Sequence, residues 1–120
     1  MAKTRILVCD DELGVRESLK LILEEKYDVA TVEDGNECLK QVLANAQIEA
    51  VLIDIKMPRI NGLEVLKQIK SANPKVKVIV VTGYRSVETA EEAIRRGASD
   101  YIIKPFAGKD ILNAVEKALK

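Results

Sequence analysis

Five short runs of apolar, largely β-branched residues recur along the chain: R-I-L-V-C (5–9), D-V-A-T-V (28–32), A-V-L-I-D (50–54), V-K-V-I-V-V-T (76–82) and D-Y-I-I-K (100–104). Runs of this kind suit strands of a parallel sheet covered on both faces. A segment with helical periodicity follows each one. Val15, Leu19, Ile22 and Leu23 share a face in the first such segment, and Ile111, Leu112, Val115 and Leu119 do so in the last, so both should lay that face on the sheet. Boundaries are marked as well. Asp34 with Glu37 has capping-box spacing, Pro74 closes the third helix, and Gly97 suits the position just past the fourth. Strands alternating with helices predict one three-layer α/β domain over residues 1–120, with right-handed crossovers and helices on both faces of a parallel sheet.

Polar residues interrupt this pattern at one kind of place. Asp10 and Asp11 follow the first strand, Asp54 ends the third, Thr82 the fourth and Lys104 the fifth. All lie at carboxyl ends, the edge where open doubly wound sheets bind ligands. Asp54 raises the sharpest question, because a carboxylate inside V-L-I-D-I costs several kcal/mol unless it is solvated, paired or metal-bound. Taken singly, each residue has a structural reading: acids favour the start of a helix, Thr82 is a β-branched strand residue, and Lys104 with Pro105 can be a strand exit. Taken together, three carboxylates, a hydroxyl and an ammonium converge on one crevice.

Composition narrows the chemistry. The 19 basic and 19 acidic residues cancel, so no whole-chain field gathers nucleic acid or an anionic membrane. Aromatic residues are 3% of the chain with no Trp, which removes stacking platforms for single-stranded nucleic acid. No apolar run approaches the ~20 residues that span a bilayer. Cys9 and Cys38 have no C-x-x-C pattern and M-A-K-T-R has no apolar signal region, so the sequence predicts a cytoplasmic protein with two reduced packing cysteines. The complete lack of histidine excludes Ser-His-Asp and Cys-His catalysis and the usual histidine-based zinc sites.

What remains is carboxylate, hydroxyl and ammonium chemistry. Three clustered carboxylates repel one another unless a cation joins them, and hard oxygen donors suit Mg²⁺. Lys104 adds a compact positive charge and Thr82 a donor. Such a set can hold a dianionic tetrahedral group against Asp54, which is then placed to accept a phosphoryl group as an acyl phosphate.

C-D-D-E (9–12), D-I-K-M-P (54–58) with Gly62, V-T-G-Y (81–84) and D-Y-I-I-K-P-F (100–106) together resemble the receiver domain of bacterial two-component response regulators, in that family's order and across essentially the whole chain. The resemblance implies a flavodoxin-like fold with strand order 2-1-3-4-5. It implies phosphorelay signalling in which Asp54 accepts phosphate from a histidine kinase or phosphotransfer protein. Asp11, Asp54 and the Lys56 backbone carbonyl would bind Mg²⁺, with Asp10 acting mostly through water. Lys104 would bind a phosphoryl oxygen, and Thr82 with Tyr101 would form a switch pair. Kinase docking would use the first helix near Leu13 and Val15 and the loop carrying Pro105 and Phe106. Arg59 and Asn61 stand where glycine and aspartate are frequent in the family. V-E-T-A-E-E-A-I-R-R-G-A-S-D-Y is similar to receivers of the nitrogen-regulation type.

Further expectations attach to single residues. Glu91 and Glu92 should pair with Arg95 and Arg96 at i,i+4. The surface of the fourth helix, fifth strand and fifth helix could form a phosphorylation-dependent homodimer. Lys56 and Tyr84 are long enough to lean across a phosphoryl group on Asp54 and keep water from it. Two other classes use similar parts. An aspartate-nucleophile phosphatase of the haloacid dehalogenase kind shares Asp, Thr, Lys and Mg²⁺, but places its nucleophile after the first strand in D-x-D and turns over p-nitrophenyl phosphate. A receiver, not being an enzyme in this sense, shows almost no such turnover. A flavin or nucleotide binder would need a phosphate-cradling G-x-G-x-x-G or G-K-[ST] loop, and none is present.

Overall fold

The computed structural model describes residues 3–120. Its elements alternate as the apolar runs predict: β1 (Arg5–Cys9), α1 (Leu13–Leu23), β2 (Asp28–Val32), α2 (Gly35–Ala44), β3 (Ile48–Ile53), α3 (Gly62–Ala72), β4 (Lys77–Thr82), α4 (Val87–Arg95), β5 (Asp100–Ile103) and α5 (Gly108–Leu119). All strand pairs are parallel and the order is β2-β1-β3-β4-β5, the flavodoxin-like arrangement. The chain reverses its direction of strand addition between β1 and β3, which opens a crevice at the carboxyl edge there.

Why the strands read as continuous apolar runs is visible in the two cores. Ile6, Val8, Ala50, Leu52, Ile79 and Val81 project to one face, against Leu19 and Leu23 of α1 and Ile111 and Val115 of α5. Their neighbours Leu7, Cys9, Val51, Ile53, Val78 and Val80 project to the other, against α2, α3 and Ala93 of α4. Successive strand side chains alternate sides, so covering both faces makes every position apolar. Cys9 and Cys38 are buried and unbridged, as packing residues. Among the described residues, no helix is long and apolar enough to cross a membrane.

The helix boundaries follow their local chemistry, with two departures. Asp34 caps α2 by accepting the Glu37 amide at 2.8 Å, but Glu37 turns its carboxylate to Gln41 rather than back to the cap, so only half of the box forms. Gly97 has φ 107° and ends α4 in a doubly bonded turn, Gly97 to the Ile94 carbonyl and Ala98 to the Ala93 carbonyl. On α4 the expected Glu92–Arg96 pair at i,i+4 forms, whereas Arg95 takes Glu92 at i,i+3 in place of Glu91. Glu92 takes both Arg95 and Arg96 at 3.0 Å, and Glu91 is no part of this cluster. Arg96 also reaches off the helix, its Nη1 donating to the Leu63 carbonyl at 3.2 Å.

Candidate functional site

The reactive side chains hang from residues whose own amides still belong to the sheet. Asp10 donates to the Val32 carbonyl at 3.3 Å, Asp54 to Cys9 at 3.1 Å and Lys104 to Thr82 at 2.8 Å. Each sits one residue beyond its strand, so the backbone is held by a ladder bond while the side chain stands clear of the apolar layers. Asp10, Asp54 and Thr82 are nevertheless buried.

Lys104 joins them. Its Nζ lies 2.8 Å from Asp10 Oδ2, 3.0 Å from Asp54 Oδ2 and 3.8 Å from Glu12 Oε1. Asp10 and Lys104 respond differently to this contact. Burial pushes the Asp10 carboxyl above its ordinary pKa, despite the hydrogen bonds from Lys104 and the Glu12 amide. Burial alone would lower the Lys104 ammonium, but hydrogen bonds to Asp10 and Asp54 reverse that and hold it charged. Both directions are consistent with one deeply desolvated acid beside a less enclosed base. Lys104 precedes Pro105 through a cis peptide bond.

Carboxylate oxygens of Asp10, Asp11, Glu12 and Asp54 lie within 4.8 Å of one another. Glu12 was no part of the predicted ligand set; its place after C-D-D was the available signal. An all-oxygen set of this kind suits a hard divalent cation, and one ammonium is too little charge to offset four carboxylates, so the residues fit Mg²⁺ chemistry. Asp11, Asp54, Lys56, Thr82, Tyr84 and Lys104 line an open cavity of about 430 Å³ above this cluster, while Asp10 lies behind it. A larger groove of about 660 Å³ at the opposite edge of the sheet, between Arg5, Asp28, Asn73 and Lys77, gathers no comparable set of reactive groups.

Tyr101 stands apart from the cavity and acts on its rim. Its hydroxyl donates to the Tyr84 carbonyl at 2.9 Å, and Thr82 Oγ1 accepts the Tyr84 amide at 3.4 Å, so both members of the expected switch pair hold the same residue. Burial, then the Asp54 charge and Tyr84, keep the Tyr101 phenol protonated above its ordinary pKa.

The loop after Asp54 is fixed from below. Lys56 donates its amide to Asp54 Oδ1 at 3.4 Å. Arg59 takes φ 71°, the left-handed conformation usually left to glycine, at a cost of about 1–2 kcal/mol. Its guanidinium lies 3.7 Å from Asp34, and Ile60 packs where Gly35 leaves room. Asn61 does the work expected of an aspartate, capping α3 by accepting the Leu63 amide at 2.7 Å.

The model of the response regulator receiver domain matches residues 6–116. The chain belongs to that family. It is 40% identical over 115 residues to the transcriptional regulatory protein ZraR of Escherichia coli strain K12, covering 95% of this chain and 26% of that protein. The chain thus spans about a quarter of that relative's length. Among solved structures, a CheY-like receiver domain from Methanospirillum hungatei JF-1 superposes with a TM-score of 0.91 at 36% identity, covering 99% of this chain and 94% of the other. The beryllofluoride-activated NtrC4 receiver domain dimer gives 0.90 at 35% identity, covering 96% and 95%. The receiver is a signalling domain of two-component phosphorelays, and the haloacid dehalogenase reading is set aside.

Receiver geometry here depends on a close approach beside Asp54. A Cβ on Gly62 would stand 2.8 Å from Ile55 Cα and 2.9 Å from the Asp54 carbonyl carbon, with backbone on both sides of the contact. Gly62→Ala should therefore destabilise the domain by about 1–3 kcal/mol, the usual effect of overpacking. Urea unfolding measures this, and an unchanged midpoint would show that α3 can retreat from Asp54 freely.

Proposed function

We propose that the whole chain, residues 1–120, works as one cytoplasmic receiver domain in which Asp54 is the phosphoacceptor, supplied by a sensor histidine kinase or phosphotransfer protein. The observation that carries this reading is the contact of Asp54 Oδ2 with Lys104 at 3.0 Å inside a cluster of four acids whose oxygens lie within 4.8 Å of one another. Asp10, Asp11 and Asp54, with the Lys56 carbonyl, would hold Mg²⁺. When bound, the ion supplies charge neutralisation for the incoming phosphoryl oxygens.

The chain's own residues supply the rest. An Asp54 oxygen attacks phosphorus, the bond from phosphorus to the donor's imidazole nitrogen breaks, and that nitrogen keeps the electron pair. Lys104 is poised to transfer its hydrogen bond from Asp54 to a phosphoryl oxygen. Thr82 accepts from the Tyr84 amide and so has its proton free to donate. Drawing Thr82 inward pulls on Tyr84, which Tyr101 holds from the other side, and this links phosphorylation of Asp54 to β5 and α4. The domain is a phosphoacceptor rather than a turnover enzyme. Leu13, 60% exposed, suits kinase docking, whereas Val15 packs partly against the core and suits it less.

Acetyl phosphate should label the protein only with Mg²⁺ present, and the label should vanish in Asp54→Ala. Retained label in that variant would overturn the assignment. On α4, Val87 and Ile94 are exposed apolar residues seven positions apart and so on one face of the helix. They favour a phosphorylation-dependent homodimer through α4, β5 and α5, in keeping with the NtrC4 dimer. Sedimentation should give about twice the mass after beryllium fluoride activation, and equal masses in both states would remove this reading.

Lys56 and Tyr84 both line the cavity over Asp54. Water must approach a phosphoryl group in line with the bond it breaks, so long side chains along that path slow hydrolysis. Lys56→Ala and Lys56→Glu should hasten phosphate release several-fold without affecting Mg²⁺-dependent labelling. Identical release rates in the wild type and both variants would show that Lys56 shields nothing.

A further inference from the structure

Among the described residues, Arg16 is the one buried charged side chain that the chemistry above does not use. Arginine is almost never buried unless its guanidinium is engaged. Here Nη1 donates to the Asp10 carbonyl at 2.9 Å and Nη2 meets Glu33 Oε1 at 3.5 Å. The two contacts differ in weight. Glu33 is 78% exposed at its side chain, so that pairing is screened by water, whereas the bond to Asp10 is buried.

Asp10 is thereby held from three directions. Its amide is in the ladder to Val32, its Oδ1 accepts the Glu12 amide at 2.9 Å, and its carbonyl takes Arg16. That carbonyl belongs to the rigid peptide plane between Asp10 and Asp11, and the orientation of the plane sets the direction in which the exposed Asp11 side chain leaves the backbone. A side chain on α1 therefore governs how two acids at the end of β1 are presented together.

We propose that Arg16 is a positioning residue for the cation site, acting through the Asp10–Asp11 peptide. The inference rests on the reading of the acidic cluster as that site. Its sign distinguishes it from plain electrostatics. A guanidinium near four carboxylates repels a divalent cation, so on charge alone its removal should tighten binding. Loss of a partner that orients metal ligands instead weakens binding by about 10–100-fold.

Mg²⁺ titrations followed by amide NMR shifts test this in wild type, Arg16→Met, Arg16→Lys and Glu33→Gln. The midpoint should rise about tenfold in Arg16→Met, much less in Arg16→Lys, which keeps a charged donor, and hardly at all in Glu33→Gln. Unfolded molecules raise the apparent midpoint of a bulk titration, so affinity is read from the shifts of native-state amide peaks, which report the folded form alone when folding exchanges slowly, and the folded fraction of each variant is measured beside it. Should Arg16→Met fail to fold, Arg16→Gln is read in the same way. A midpoint in the neutral variant equal to or below wild type overturns the proposal. So does an Arg16→Lys or Glu33→Gln variant as weak as Arg16→Met. A wild type that shows no response to Mg²⁺ would instead overturn the cation-site reading beneath it.

Discussion

The ammonium of Lys104 ties three strand ends into one unit. It leaves the end of β5 and meets Asp10 at the end of β1 and Asp54 at the end of β3, at 2.8 Å and 3.0 Å. It offsets the repulsion and the loss of hydration that two neighbouring buried carboxylates would otherwise carry uncompensated. The contact crosses the sheet from its edge to its centre. A cation or a phosphoryl group arriving at the acids must therefore renegotiate the position of Lys104, and with it the strand next to α4.

Around that contact the molecule is held unequally. The loop after Asp54 is tied down by backbone proximity at Gly62, by the Asn61 cap, and by Ile60 packing against Gly35. Cys9 adds a thiol contact from below, 3.4 Å from Met57 and 3.3 Å from the Asp34 carbonyl. The contact with Cys38, together with burial, keeps the Cys9 thiol protonated well above its usual range, so it serves packing rather than reactivity. By contrast α4 buries a single residue, Ala93, and leans on α3 chiefly through Arg96 and the Leu63 carbonyl. A helix with so little buried apolar surface is the element whose displacement costs least. It also bears the exposed Val87 and Ile94, so the surface offered to a partner is the one least fastened to the core.

Most of the architecture was legible along the chain. Apolar runs such as V-K-V-I-V-V-T announce strands covered on both faces, Asp34 and Gly97 mark helix ends, and the polar residues at strand ends mark the edge where chemistry gathers. These signals are local: they depend on side-chain periodicity and on backbone preferences that act within a few residues. The zero net charge and lack of histidine narrowed the chemistry in the same way, by removing reagents rather than by placing them.

Contacts between distant residues were another matter. Nothing in R-E-S-L-K distinguishes Arg16 from a solvent-facing helix residue, and only the folding of α1 over the end of β1 buries its guanidinium against the Asp10 carbonyl. Arg96 likewise donates to the Leu63 carbonyl on another helix, a contact that no spacing within α4 announces. Lys104, far along the chain, comes within 3.8 Å of Glu12, a contact that its place after C-D-D does not announce. The sequence by itself determined the elements, the edge of the sheet that is chemically active and the residue types found there, because these follow from short-range periodicity. Which charges meet, and which backbone groups they hold, was decided only by the tertiary structure, because a buried charge takes whatever partner the packing of distant segments brings within reach.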